Sequence, residues 1–485
     1  MSAVSLFCLV FAYFALLLVV AWRTSRNANN DSFFIGNKSS NWMLVAFGMV
    51  GTTLSGVTFI SVPGAVGRDG FGYLQVIFGY VLGYIAVAYI LLPLYYRLKL
   101  TSIYTYLEQR LGPRSYQSGA AFFIISRTLS ASARLYLVVN ILQLTILDSM
   151  GVPFWLTTTV ILAMILLYTY EGGVKTIVWT DTLQTTGMVL GLVICAGWLL
   201  HEMNLSPLDS LARMQAHGLT RVVTSAVDSP AYFWKQLLAG FFIVLAMTGM
   251  DQETMQKNIS VKTLRDSQKN MLLLTAVLTA VLVLFMYLGG LLYLYAPAAG
   301  VSAVGDKIFP TVVMAQMPAV LQLIFFIGLI SALFPSADGA MTALTSSFSI
   351  DILGVQRRAD LTEAARKRLR HRVHLVFCAI FLALVLVFKW VDNASMVGLV
   401  LKLTGYTYGP LLGLFAFGIL TRRAVRDRWV PLVALAGPIV CYVIDSNQQL
   451  LFGSYRIGLE LLILNGLLVF VGLLLISKKQ YYPCK

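Results

Sequence analysis

Residues 51–65 read GTTLSGVTFISVPGA, inside a run of about 25 mostly apolar residues, long enough to cross a bilayer. A segment bound for hydrocarbon has little use for five hydroxyls (Thr52, Thr53, Ser55, Thr58, Ser61), three glycines and Pro63. The chain around it sharpens the contrast, because 58% of its 485 residues are hydrophobic and 12% charged, with a mean hydropathy of +0.79. That composition excludes an ordinary soluble globular protein.

Apolar stretches of about 20 residues with few charges lie near 4–23, 42–66, 71–96, 119–145, 152–169, 179–202, 232–250, 271–296, 318–350, 371–390, 395–420, 428–446 and 455–476. The expectation is an all-α polytopic protein in a lipid bilayer, with about 13 transmembrane helices. An odd count puts the termini on opposite sides. With the N-terminus outside, 26 of the 36 Lys and Arg fall in cytoplasmic loops and 6 in outer loops and helix ends. The remaining 4 (Arg127, Arg134, Lys235, Lys402) lie within spans. The positive-inside bias therefore orients the chain N-out and C-in, in a plasma (inner) membrane.

The net charge of +15 is accounted for by stretches such as QRRADLTEAARKRLRHR (356–372) and TRRAVRDR (421–428), which sit at helix ends where topology asks for them. No nucleic-acid partner is expected. The five cysteines are dispersed, without disulfide or metal-ligand spacing. The first apolar stretch lacks a basic leader and a small-residue cleavage site, so it reads as a retained helix. Walker A, HExxH and Cys-x-x-C motifs are missing and the four histidines are scattered, so no enzyme is expected.

Two spans read as interrupted. The second holds the hydroxyl and glycine cluster, and the ninth, LISALFPSADGAMTALTSSFSID (329–351), holds Pro335, Asp338 and Gly339. In lipid the backbone groups freed by such breaks must be met by protein, water or an ion. Paired discontinuous helices are the sequence pointer to a secondary transporter's binding site. A close helix packing face of small residues is the plainer alternative.

Three further segments, GGVKTIVWTDTLQ (172–184), TGMDQETMQK (248–257) and TYGPLLGLF (407–415), together with the interrupted helices, resemble the sodium:solute symporter family. The likeness spans nearly the whole chain, and TTLSGVTFISVP (52–63) looks most like the bacterial sialic acid symporters in it. The resemblance implies a LeuT-type five-plus-five inverted repeat in one transport domain over 1–485. An extra helix (4–23) precedes a first repeat (42–202) and a second (232–420), and two C-terminal helices (428–476) follow. It implies a sodium-coupled symporter that imports a small organic solute by alternating access, with Na+ as coupling ion, no organic cofactor, and a monomer as the working unit.

Carried over by matching motifs, sodium would sit between the second and ninth spans on the carbonyls of Gly51, Leu54 and Ala332 and the hydroxyl of Ser336. Here the sequence departs from its family, whose adjacent hydroxyl pair is Pro335-Ser336 in this chain. Proline cannot donate to the carbonyl of Ser331, which it leaves free, and Asp338 offers a carboxylate one turn on. Some relatives use the aspartate of the WTDxxQ element, with polar groups of the ninth span, to form another cation site, which makes Asp181 the second acidic candidate here. Alternatively, Thr180 and Asp181 cap the start of the sixth helix, with Gln184 reaching back.

Arg134 lies about 15 residues into the fourth span, roughly 22 Å along it. That is too deep for easy snorkelling, and its guanidinium suits a substrate carboxylate. Its structural alternative is a pair with a buried carboxylate or with helix-end carbonyls. Arg127, two turns earlier, reads as a snorkelling residue, and Lys402 as a buried charge of the vestibule or of a helix pair. Thr53, Ser55 and Thr58 stand where hydroxyls contact solute in the sialic acid symporters, although the helix-4 arginine there aligns nearer Ser130 and the helix-3 glutamine nearer Gly79. A carboxylate-bearing or polyhydroxy solute, such as a sialic acid or a sugar, is expected.

One sodium entering at about 100 mV gains about 2.3 kcal/mol, and a tenfold sodium gradient adds about 1.4 kcal/mol. Together they hold a neutral solute at roughly 500-fold accumulation. A proton-coupled symporter on the same fold, and a solute sensor that does not transport, are the alternative readings.

Overall fold

The computed structural model describes residues 3–24, 33–34, 36–358, 360–391 and 396–481. Each of the thirteen expected spans has a helical counterpart among them. These helices are α1 (Ala3–Thr24), α2a (Trp42–Thr53) with α2b (Gly56–Asp69), α3 (Leu74–Arg97), α4 (Pro113–Leu142), α5 (Phe154–Tyr170) and α6 (Gly173–Glu202). They continue as α7a (Phe233–Gly249) with α7b (Gln252–Ile259), α8 (Leu264–Ala298), α9 (Ala319–Ile352), α10 (Glu363–Val391), α11 (Met396–Leu420), α12 (Asp427–Ser446) and α13 (Leu461–Leu475). Among the described residues eight helices are long and apolar enough to cross a membrane, and the two bent pairs raise that to ten. The first, fifth and thirteenth stretches give shorter apolar helices, Phe11–Thr24, Phe154–Tyr170 and Leu461–Leu475.

The positions of the breaks correct the sequence reading. α2 is interrupted as expected, by extended conformations at Leu54 (φ −82°, ψ 110°) and Ser55 (φ −96°, ψ 169°), and its halves meet at 57°. The ninth helix is not broken: α9 runs continuously through Pro335. Proline there costs one ladder bond, to the Ser331 carbonyl, and the Ser336 hydroxyl donates to the Leu333 carbonyl at 2.9 Å. The second break lies in the seventh span, where a wide turn over Leu245–Gly249 runs into Met250 and Asp251, and α7b leaves at 64°.

The carbonyls freed at that break find partners within the protein, as a lipid environment demands. The Tyr95 hydroxyl donates to Gly249 at 2.7 Å and the Tyr104 hydroxyl to Met250 at 3.1 Å. Asp251 caps the new helix, accepting from the Thr254 N–H at 3.2 Å. Segment 251–270, read from sequence as an inner loop, thus opens with a helix whose residues from Gln252 to Ile259 are nearly all buried. At the far end, strands β1 (Arg423–Val425) and β2 (Ser477–Tyr481) pair antiparallel and tie the segment after α13 to the α11–α12 connection.

Close helix contacts explain most of the interior glycines. A Cβ at Gly51 would strike the Thr185 side chain of α6, at Gly56 that of Val138 of α4, and at Gly64 the backbone of Gly305. Gly79 and Gly240 let α3 and α7a touch backbone to backbone, since a Cβ at either would enter a carbonyl of the other helix. Gly240→Leu is expected to force these helices apart and to destabilise the fold by at least about 1–3 kcal/mol. Thermal unfolding of purified protein, compared with an exposed-face control such as Leu238→Ala, reads the difference.

Candidate functional site

The break in α2 opens onto a cavity of about 700 Å³ that runs along α2b to Arg68, Asp69 and the 221–231 segment. Thr53, Ser55, Thr58 and Arg134 all line it, so the four expected solute contacts come together. The Thr53 hydroxyl donates to the Met49 carbonyl of its own helix at 2.8 Å. The Thr58 hydroxyl accepts from the Ser55 N–H at 3.4 Å. The opposite wall is aromatic, with Tyr73, Tyr80 and Tyr84, and the hydroxyls of Tyr73 and Tyr80 lie 3.3 Å apart. Gln75 is fully engaged: its amide donates to Gly72 and Ala231 and its oxygen accepts from the Thr224 N–H, which pins the 221–231 segment over the cavity.

The two arginines of α4 differ, and one departs from expectation. Arg127 does not snorkel: it is 4% exposed, ion-paired with Glu253, and 4.0 Å from Asp251. Arg134, seven residues on and so on the same face, has no hydrogen-bond or ion-pair partner among the described residues and reaches the cavity. Its pairing alternative is therefore not realised. Lys402 is half-exposed rather than buried and pairs with Asp445 at 2.5 Å, joining α11 to α12.

Below the cavity floor lies a buried charged cluster that the sequence reading missed in part. Asp181 sits two turns inside α6, so it does not cap that helix. Its Oδ2 accepts from Lys257 Nζ at 2.7 Å and from the Thr52 hydroxyl at 3.0 Å, and Lys257 also donates to Thr52 at 2.6 Å. Glu253 lies 3.7 Å from the same ammonium. Asp338 Oδ2 accepts from the Tyr168 hydroxyl at 2.7 Å and its Oδ1 from the Gly339 N–H at 2.5 Å. Gly339 packs on the cluster, where a Cβ would meet the Glu253 carboxylate.

Glu253 and Lys257 stand four residues apart in TGMDQETMQK, a segment that from sequence carried only the family resemblance. Their burial follows from the break at Gly249, which turns α7b back under the bundle. The acidic and basic letters of TGMDQETMQK beside an apolar span were the available signal.

The residues expected to hold sodium flank the same floor. Leu54 lines the cavity, and the Gly51 carbonyl lacks its helical donor because the Ser55 N–H turns to Thr58. Ala332, Ser336 and Asp338 are fully buried on α9, which packs against α2a and α6. The Ser331 hydroxyl, beside its own freed carbonyl, is paired with Tyr13 of α1 at 2.7 Å. Asp181 Oδ1, both polar atoms of Gln184 and the Thr185 hydroxyl are buried without hydrogen-bond partners among the described residues. The carbonyl, hydroxyl and carboxylate oxygens of Gly51, Leu54, Ala332, Ser336 and Asp338 are of the kind a hard cation takes.

The model of the sodium:solute symporter family matches residues 33–427. The sodium/sialic acid symporter SiaT of Proteus mirabilis (strain HI4320) is 23% identical over 447 residues, covering 86% of this chain and 85% of its own. The human sodium/iodide cotransporter is 25% identical over 434 residues, covering 84% of this chain and 65% of its own. A solved structure of a Na+-coupled sialic acid symporter, substrate-bound and outward-open, superposes with a TM-score of 0.83 at 19% identity, over 98% of this chain and 99% of that one.

Proposed function

This chain belongs to the sodium:solute symporter family and couples the passage of a small solute to sodium, and we propose that the solute is an organic acid whose carboxylate Arg134 clamps. The observation that carries this reading is a guanidinium that has no partner among the described residues and lies in a tyrosine-lined cavity. An intramembrane charge left without a protein partner is a functional group by default. Thr53, Ser55 and Thr58 line the same cavity and suit a solute that also bears hydroxyls. The names of two of the relatives, both sodium/sialic acid symporters, point the same way, toward a sialic acid.

Sodium, in this reading, lies between the α2 break and α9, on the carbonyls of Gly51, Leu54 and Ala332 and the hydroxyl of Ser336, with Asp338 and Asp181 supplying negative charge nearby. The five-plus-five repeat pairs 42–202 with 232–420, between the extra helix 4–23 and the two C-terminal helices 428–476. In its support, the two broken helices, α2 and α7, are the first of each repeat. The excess of Lys and Arg in alternate connections supports an N-out orientation in a plasma (inner) membrane. The cavity mouth at Arg68 and Arg221 then faces outside and the charged floor closes the cytoplasmic side. One chain supplies both broken helices and the whole cavity, so a monomer is the working unit, and no nucleic acid takes part.

Uptake by proteoliposomes is expected to fall to background when choline replaces external sodium at fixed pH. Unchanged uptake would instead favour proton coupling, and solute binding without any uptake a sensor. Ser336→Ala combined with Asp338→Asn is expected to raise the sodium concentration for half-maximal uptake by about tenfold or more, the loss of about 1.4 kcal/mol of cation binding. An unchanged sodium dependence would remove α9 from the site.

A further inference from the structure

Lys257 is the one ammonium among the described residues that is enclosed by oxygens from several spans. Its Nζ lies 2.6 Å from the Thr52 hydroxyl on α2a, 2.7 Å from Asp181 Oδ2 on α6 and 3.7 Å from Glu253 Oε1 on α7b. The fourth side is α9: a Cβ on Gly339 would stand 3.2 Å from the ammonium nitrogen. The lysine side chain is 3% exposed. An ammonium has three donors and no acceptor, and here two of them are spent on Asp181 and Thr52 while Glu253 stands nearest the remaining direction. A buried charge is kept only where partners meet it, and this cage of carboxylate and hydroxyl oxygens is also what a sodium ion would ask for.

We propose that Lys257 is a tethered cation that fills the Asp181 site in place of a second sodium, so that each solute crosses with a single sodium held between the α2 break and α9. The inference rests on the sodium-coupled reading above and adds its stoichiometry. The pairing of charges under the cavity supports it. Arg127 is matched by Glu253, and Lys257 by Asp181. Asp338 is left with only a tyrosine hydroxyl and a backbone N–H, and no cation within 4 Å among the described residues. The carboxylate without a resident partner therefore lies on α9, beside Ser336, where the single sodium is placed. A sodium added at Asp181 would share one carboxylate with an ammonium already in contact with it, and like charges at that spacing in a water-poor interior repel strongly.

The consequence reaches the driving force. One sodium moving with one monoanionic solute transfers no net charge, so the membrane potential does not contribute. Accumulation is then set by the sodium concentration ratio alone, about tenfold for a tenfold gradient.

Binding of radioactive sodium alone to the purified full-length protein, with choline holding ionic strength constant, tests the proposal. Wild type is expected to bind one sodium per chain with a hyperbolic isotherm. Asp181→Asn is expected to leave that count at one, whereas a sodium site at Asp181 would lower it from two to one. Lys257→Met frees the cage and is expected to raise the count to two, with a Hill coefficient climbing from 1 toward 2. Lys257→Arg keeps it at one. Two sodium ions bound by wild type, or one bound by folded Lys257→Met, would overturn the assignment. Should Lys257→Met not fold, the wild-type and Asp181→Asn counts decide alone. No sodium bound by wild type would overturn sodium coupling itself, an outcome distinct from a count of two.

Discussion

Glu253→Gln is expected to cost the protein about 3–5 kcal/mol of stability, because it strips a buried arginine of its carboxylate and leaves the charge in place. Arg127 and Glu253 are 4% and 1% exposed, so water cannot stand in for the lost partner without reopening the packing around α4 and α7b. Asp251 lies 4.0 Å from Arg127 and is already bound by the Tyr408 hydroxyl at 2.7 Å, so it compensates weakly. The carboxylate also stands 3.7 Å from Lys257, and its removal disturbs the second pair with the first. Removing both members, as Arg127→Met with Glu253→Met, is expected to restore most of the stability, since a buried pair exchanged for apolar side chains is often neutral. Melting of the purified proteins in one detergent, arranged as a double-mutant cycle, reads the coupling. If the Glu253→Gln and wild-type proteins melt together, the buried pair is not a structural tie.

Arg134→Gln is expected to do the opposite. The side chain has no partner among the described residues, so melting stays close to wild type. The solute loses a charge-assisted bond, worth about 1.5–3 kcal/mol, and the apparent affinity for an acid falls about 10- to 150-fold. Arg134→Lys recovers only part, because an ammonium cannot present the bidentate fork. The diagnostic comparison is between an acid and its amide of equal size. Wild type prefers the acid and Arg134→Gln does not. A variant that kept the full preference would place the carboxylate elsewhere in the cavity.

These two arginines also show how far the sequence could be read. Both are charges on an apolar stretch, and depth from the helix end was the only criterion separating them. The helix in fact starts at Pro113, which puts Arg127 well inside, and its carboxylate comes from a segment 126 positions away. No periodicity reveals such a partner. The hydroxyl cluster of α2 was legible because a polar, glycine-rich run is costly inside hydrocarbon unless it lines a cavity or a close helix contact.

Pro335 misled for a physical reason: a membrane helix bears a proline when one freed carbonyl can be spared, so proline alone does not mark a break. The real second break sits at Gly249–Asp251, where the sequence shows only a glycine and an acidic residue at the end of a span. Thirteen apolar stretches found helices, whereas α7b was lost because eight residues rich in Gln, Glu and Lys fail any hydropathy window.

The layer below the cavity floor is held by ions and hydroxyls as well as by hydrocarbon side chains. Parting an oily barrier wets apolar surface and raises the heat capacity, while wetting polar surface lowers it. When Thr52, Asp181, Lys257, Glu253 and Arg127 separate, each meets water as a replacement partner. Separating them would therefore change the heat capacity less than parting an oily barrier of the same area.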